Sequence, residues 1–208
     1  RSDRAEPEIG DLVISVGGRT GKDGIGGANL SSMESTDKTI TVGATAVQIG
    51  NPIEEKRVFD ALEERREQDL YRAGTDCGGG GYSSSIGELG EKLGVEVDLD
   101  KVKLKYPGLS PKEIILSEAQ ERMIIAVKVE NLERLRKIFK KHNVEMTVLG
   151  RFTGEKKFAL RYKGEIVCDL DMDFLHHGLP KKKLEGSWQP PDIDERKPDL
   201  PTDWAEAY

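Results

Sequence analysis

Cysteine is scarce: Cys77 and Cys168 are the two in the chain, far apart in sequence and in no metal-type spacing. They read as reduced thiols of a cytoplasmic protein. Long apolar runs are missing too. Nothing approaches the roughly 20 residues needed to cross a bilayer, and the opening "RSDRAEPEIGDL" has no hydrophobic signal core. Positive charge is not in excess: 32 Lys and Arg against 38 Asp and Glu leave a net charge of -6. That balance argues against a nucleic-acid or anionic-membrane partner, both of which need a basic face, so any phosphorylated ligand must be held locally. Histidine is rare as well, and the pair His176 and His177 has no third metal ligand in view. The chain starts at Arg1 rather than Met, in a polar stretch that leads into a strand, and so reads as a segment of a longer polypeptide.

Glycine, in contrast, is concentrated. "TDCGGGGYSSS" (75–85) sets an acid and a thiol before four glycines and three serines, and residues 17–27 hold six glycines more. Four adjacent glycines cost backbone entropy and pack nothing, so such a run is either disordered or used where only bare backbone fits. The surrounding sequence is regular. "DLVISVGG" (11–18) reads as a buried strand closed by a turn, and "TITVGATAVQIG" (39–50) as an extended segment. "NPIEEKRVFDALEERREQ" carries helix-start signals in Asn51, Pro52, Glu54 and Glu55, with Ile53, Val58, Phe59 and Leu62 expected inward. Ile86, Leu89 and Leu93 mark one face of a helix that Gly94 can end, and "VEVDLD" alternates as a strand.

A proline-marked loop, "KYPGLSP", then leads to a short helical turn and a buried strand in "RMIIAVKV". "ENLERLRKIFKKHN" is an amphipathic helix with Leu132, Leu135, Ile138 and Phe139 inward. A strand at "VEMTVLGRF" and a hairpin turning at Lys163 and Gly164 close the pattern. The alternation predicts an α/β fold, a mixed β-sheet flanked by helices over residues 8–179. Residues 180–208 hold five of the nine prolines and both tryptophans, without an apolar period, and read as an extended interdomain linker.

Asp76 falls at a strand end beside the glycine run, with Ser83, Ser84 or Ser85 available to cap the next helix. Ligands of α/β sheets bind beyond the carboxyl ends of strands, which makes Asp76 a metal or polar-ligand group; equally, its carboxylate can serve only to bond loop amides. Cys77 has no evident base and reads as a small buried hydrophobe. "GGRTGKDGIGGA" is not a P-loop, since Val16 stands at the first glycine position and Asp23 at the hydroxyl position. Glu118 and Gln120 in "LSEAQERM", and Gln48 in "AVQIG", combine carboxylate and amide groups able to read a ribose, or form an ordinary polar strand edge.

Together, "GDLVISVGGRTGKDGIGGA", "VQIGNPIEEK", "TDCGGGGYSSSIGEL", "YPGLSPKEIILSEAQERM" and "GEIVCDLDMDFLHHGLP" resemble the synthase subunit of phosphoribosylformylglycinamidine synthase over about residues 8–180. The part resembled is the carboxyl-terminal domain of the first half of that duplicated enzyme, an α/β domain shared with aminoimidazole ribonucleotide synthase. The resemblance implies a role in purine biosynthesis: ATP and Mg2+ activate formylglycinamide ribonucleotide, and ammonia released from glutamine by a glutaminase component displaces phosphate to give the amidine. It also implies substrate-binding roles for Gln48, Glu118, Ala119 and Gln120, and a Mg2+-ligand role for Asp76. It assigns no catalytic residue to this chain. ATP would be bound mainly by a preceding domain absent here, and a second half would follow, so the isolated chain is expected to bind substrate weakly and turn nothing over. Ala119 stands where the family typically has serine, and residues 78–81 are all glycine where the family usually has an alanine. The alternatives are a non-catalytic scaffold half of the same assembly, or a related ATP-using enzyme.

Overall fold

A computed structural model describes residues 6–30, 49–66, 69–181, 183 and 185–189. The extended segment expected at 39–50 and the linker expected from residue 180 lie largely outside these residues. So does Gln48.

The described strands form one seven-stranded sheet. In chain order they are β1 (Leu12–Gly17), β2 (Ala73–Asp76), β3 (Val95–Asp98), β4 (Arg122–Val127), β5 (Met146–Phe152), β6 (Lys157–Tyr162) and β7 (Glu165–Asp171), and across the sheet they run β2-β4-β1-β5-β3-β6-β7. All pairings are antiparallel except β3 with β6, so the sheet is mixed as the alternation predicted. The centre, β4-β1-β5, is apolar on both faces: Val13 and Ile14 are both fully buried although they point to opposite sides. Helices on either face explain why.

The helices are α1 (Gly27–Leu30), α2 (Pro52–Arg66), α3 (Tyr82–Gly90), α4 (Pro111–Leu116), α5 (Leu132–Lys141) and α6 (Met172–His177). One core layer packs Val13, Ile124, Val95, Leu149 and Phe152 against Tyr82 and Ile86 of α3, Ile114 of α4 and Met172 of α6. The other packs Ile14, Val16, Ile125 and Val127 against Val58 and Ala61 of α2 and Leu135, Ile138 and Phe139 of α5. Each of these larger side chains contributes roughly 1.5–3 kcal/mol by leaving water.

Local chemistry fixes the helix starts. Asn51 Oδ1 accepts the N–H groups of Ile53 (3.1 Å) and Glu54 (3.3 Å), so α2 begins where the sequence placed it. Ser110 and Glu113 form a reciprocal capping box at α4, with Pro111 in its first turn. Two expectations need correction. Ile53 and Phe59 are exposed, and α2 rests on the sheet through Val58, Ala61 and the half-buried Leu62. The serines do not cap α3, whose N-cap is Gly81; the hydroxyls of Ser83, Ser84 and Ser85 instead donate back to carbonyls of Gly79, Gly80 and Gly81.

The hairpin turns through Lys163 (φ 52°) and Gly164 (φ 82°), both left-handed, as a two-residue turn requires. Among the described residues no helix is long and apolar enough to cross a membrane.

Candidate functional site

Three stretches meet at the rim of the sheet where β2 ends: the glycine-rich loop after β1, the glycine run 78–81, and residues 117–121 leading into β4. Asp76 is the last residue of β2, paired with Met123, and the Cys77 N–H extends the ladder by one bond to the Arg122 carbonyl at 3.1 Å. The Cys77 side chain turns inward, where burial pushes its thiol above the usual range despite the nearby Arg122 charge. It is a packed small side chain, not a nucleophile.

The glycine run is ordered because bare backbone is needed there. Gly81 has φ 59°, and a Cβ on it would lie 2.0 Å from the Ser117 carbonyl oxygen. No other residue type lets the run lie so flat against the 117–118 stretch. Glu118 completes the join, its carboxylate accepting the N–H groups of Gly80 at 3.0 Å and Ala28 at 3.1 Å. The loop after β1 is pinned as well: buried Thr20 bridges Leu104, and its carbonyl accepts the Lys105 N–H at 2.9 Å.

Beneath these loops lies a cation that the sequence reading did not single out. Arg122 is 2% exposed. It donates to the Thr20 hydroxyl and the Ala119 carbonyl, each at 2.8 Å, and to the Ser117 carbonyl. It also sits 4.4 Å from the centre of the Tyr82 ring, whose hydroxyl is 2.7 Å from Ser15 Oγ. One buried arginine thus ties the Ser117 and Ala119 carbonyls to the loop after β1. The sequence signal was faint: a single arginine opening the apolar strand "RMIIAV".

These walls enclose a cleft of about 530 Å³, lined by Asp76, Cys77, Gly78, Ala119, Gln120, Glu121, Arg122 and, from the start of α2, Gly50, Pro52 and Glu55. Asp76, Ala119 and Gln120 therefore meet in one cavity, although more than forty residues separate Asp76 from the other two. Ala119 is 1% exposed, and its main chain is engaged within its own segment, the N–H to Ser117 Oγ and the carbonyl to Arg122. Gln120 is exposed, and its amide nitrogen lies 3.5 Å from the Glu118 carbonyl. Among the described residues no hydrogen bond or ion pair engages the exposed Asp76 carboxylate. Glu118 belongs to the wall behind.

A second cleft, about 360 Å³, adjoins the first through Gln120 and Glu121 and reaches Arg19, Asn51, Glu54, Arg57, Lys105 and Glu145. Burial, aided by the nearby Glu145 and Glu121 charges, raises the Glu54 pKa against the pull of Arg57. The Arg19 guanidinium holds Glu145 below the usual range. No group of three His, Cys, Asp or Glu able to hold a metal occurs among the described residues. His176 Nε2 lies 3.1 Å from the Gly87 carbonyl oxygen.

A mixed sheet covered by helices on both faces, with a polar cleft at the strand ends, defines an α/β domain with a candidate ligand site at its rim. Residues 8–163 match the family model described as AIR synthase related protein, C-terminal domain, and the chain belongs to that family. It is 38% identical over 168 residues to the phosphoribosylformylglycinamidine synthase subunit PurL of Thermoplasma acidophilum, a match covering 80% of this chain and 22% of that protein. Among solved structures, T. maritima PurL complexed with FGAR superposes with a TM-score of 0.80 at 30% identity, covering 94% of this chain and 32% of that one. T. maritima PurL complexed with ATP gives 0.74 at 28% identity, covering 90% and 29%. The chain thus spans about a quarter of the length of the curated relatives it matches.

Proposed function

We propose that this chain is the substrate-holding part of a phosphoribosylformylglycinamidine synthase, an ATP-dependent C–N ligase of purine biosynthesis that converts formylglycinamide ribonucleotide to its amidine with ammonia from glutamine. The observation that carries this reading is the meeting of Asp76 and Gln120 in one cleft, in a domain similar to a PurL solved with FGAR. The similarity to an ATP complex supports nucleotide use by the longer polypeptide, whose remaining domains would hold most of the ATP and whose glutaminase partner would supply the ammonia.

Within the cleft, Gln120 would present its amide group to the ribonucleotide, and Gln48, which lies outside the described residues, would supply a second amide. Glu118 would act by holding the Gly80 amide and the glycine run in place, and Ala119 would form wall surface. Asp76 would offer a carboxylate to Mg2+. The residues present fit that ion in a limited way. Mg2+ is commonly held by one or two carboxylates together with waters and substrate phosphates, so a lone exposed Asp76 suffices if phosphate and other domains complete the set. Glu55 and Glu121 add negative charge to the same cleft. When bound, the ion would neutralise charge on the transferring phosphoryl group.

An NMR titration with FGAR, suited to weak binding, tests the proposal. Shifts should concentrate at Gly78, Ala119 and Gln120 and tighten when Mg2+ is added, and Asp76→Asn should abolish the Mg2+ effect while leaving the fold intact. Shifts scattered away from the cleft, or none with Mg2+ present, would discard it. The isolated chain is expected to form no amidine.

A further inference from the structure

The backbone takes an unusual turn at the cleft wall. Glu121 has φ 56°, in the left-handed region that a glutamate seldom adopts. Two ties hold it there. Its carbonyl accepts the Gly18 N–H at 2.8 Å, and a Cβ on Gly17 would stand 2.1 Å from that same oxygen. Its carboxylate Oε1 accepts the Asn51 N–H at 2.6 Å, and a Cβ on Gly50 would stand 2.8 Å from it. Gly17 and Gly50, one from each neighbouring stretch, thus leave bare backbone where the two oxygens of Glu121 arrive.

The placement of these ties matters. Asn51 is the N-cap of α2, whose start brings Gly50, Pro52 and Glu55 to the cleft. Glu121 follows Gln120, which faces the cleft, and precedes Arg122, which is buried. The left-handed turn is what lets consecutive residues serve cleft and core. An ionised carboxylate is also the acceptor best suited to an N–H at a helix start, where the dipole favours negative charge.

We propose that Glu121 is a positioning residue for the ribonucleotide: its carboxylate fixes the start of α2, which brings Gly50, Pro52 and Glu55 to the cleft, against the 118–120 segment, while its backbone aims Gln120 into the cleft. This rests on the substrate reading above. Glu121 itself need touch no reacting atom. Its part is to set the spacing between these two walls of the cleft, a dimension that a displacement of even an ångström spoils.

Three variants of the chain separate the possibilities. Glu121→Gln keeps a side-chain acceptor of the same length. Glu121→Asn suits a left-handed backbone but is one methylene short, and Gly50→Ala crowds the carboxylate from the other side. Two readouts apply to each: amide hydrogen exchange at Asn51, and the FGAR dissociation constant from NMR titration. Wild type and Glu121→Gln should protect the Asn51 amide and bind FGAR within about threefold of each other. Glu121→Asn and Gly50→Ala should lose that protection and bind about tenfold more weakly, with Tm within about 4 °C of wild type.

Unchanged Asn51 exchange in Glu121→Asn overturns the proposal by removing the tie. Lost protection with unchanged FGAR affinity overturns it too, because the tie would then be structural only, and leaves the substrate cleft standing. A wild-type chain whose cleft shows no response to FGAR fails at the earlier step, the substrate reading, and the positioning role falls with it.

Discussion

Single side chains determine how the rim and its neighbouring helix start are built, and two can be tested separately. Arg122 satisfies two carbonyls and a hydroxyl inside the protein. Arg122→Met fills similar space yet leaves all three partners unpaired, so urea denaturation should show a loss of about 3 kcal/mol, near 1 kcal/mol for each. Glu113 is a solvent-facing contrast. The Ser110 backbone N–H, then Lys22 and the Ser110 hydroxyl, lower its pKa from 4.5 to about 2. A depressed carboxylate stabilises the fold fully above 4.5, and the contribution fades as pH falls from there to about 2. Acid titration of wild type against Glu113→Gln, followed by α4 amide signals, should differ across that window and converge below it. From the sequence only a proline-marked loop and a short helical turn were read around this residue, although its capping partner Ser110 is three residues away, whereas the partners of Arg122 lie about a hundred residues away or on loops of no regular period, beyond what periodicity can reveal.

At the level of elements, glycine explains more than apolar pattern does. Gly81 and Gly164 are both left-handed, with different surroundings. Gly164 has nothing within 4 Å of its missing Cβ, so Gly164→Ala should cost only the conformational penalty, about 1 kcal/mol. Gly81→Ala would also drive a methyl into the Ser117 carbonyl, so its cost in thermal or chemical denaturation should exceed that, roughly 3 kcal/mol or more. The sequence showed that the glycines needed a reason and showed an acid beside them. It did not show that the reason is contact with 117–118, because that contact is made across the sheet rim. Helix α2 shows the opposite limit. Its start was legible from Asn51, Pro52 and two glutamates, yet Ile53 and Phe59 were expected inward and are exposed, since hydrophobicity alone does not say which arc faces the sheet when charged residues fill the remaining positions. Among the described residues the hairpin and strands came through well, their signals being local.

For the molecule as a whole, the two apolar layers share one sheet, and neither can be lost while the other survives. Denaturation followed by circular dichroism and by tyrosine fluorescence should therefore coincide in one transition. A second, earlier transition confined to one probe would show that the α2–α5 layer unfolds by itself. The fold class was readable from the order of elements, as was the antiparallel closing hairpin. Strand order was not, because it depends on which distant strands meet.

That order bears on synthesis. β1 lies between β4 and β5, and its partners in β4 follow it by more than a hundred residues. On a ribosome the LVISV stretch would emerge early and wait, sticky and unclaimed, until the middle of the chain is translated and then residues 146–152. Nascent chains halted before that point should be the ones that chaperones hold and that aggregate when released.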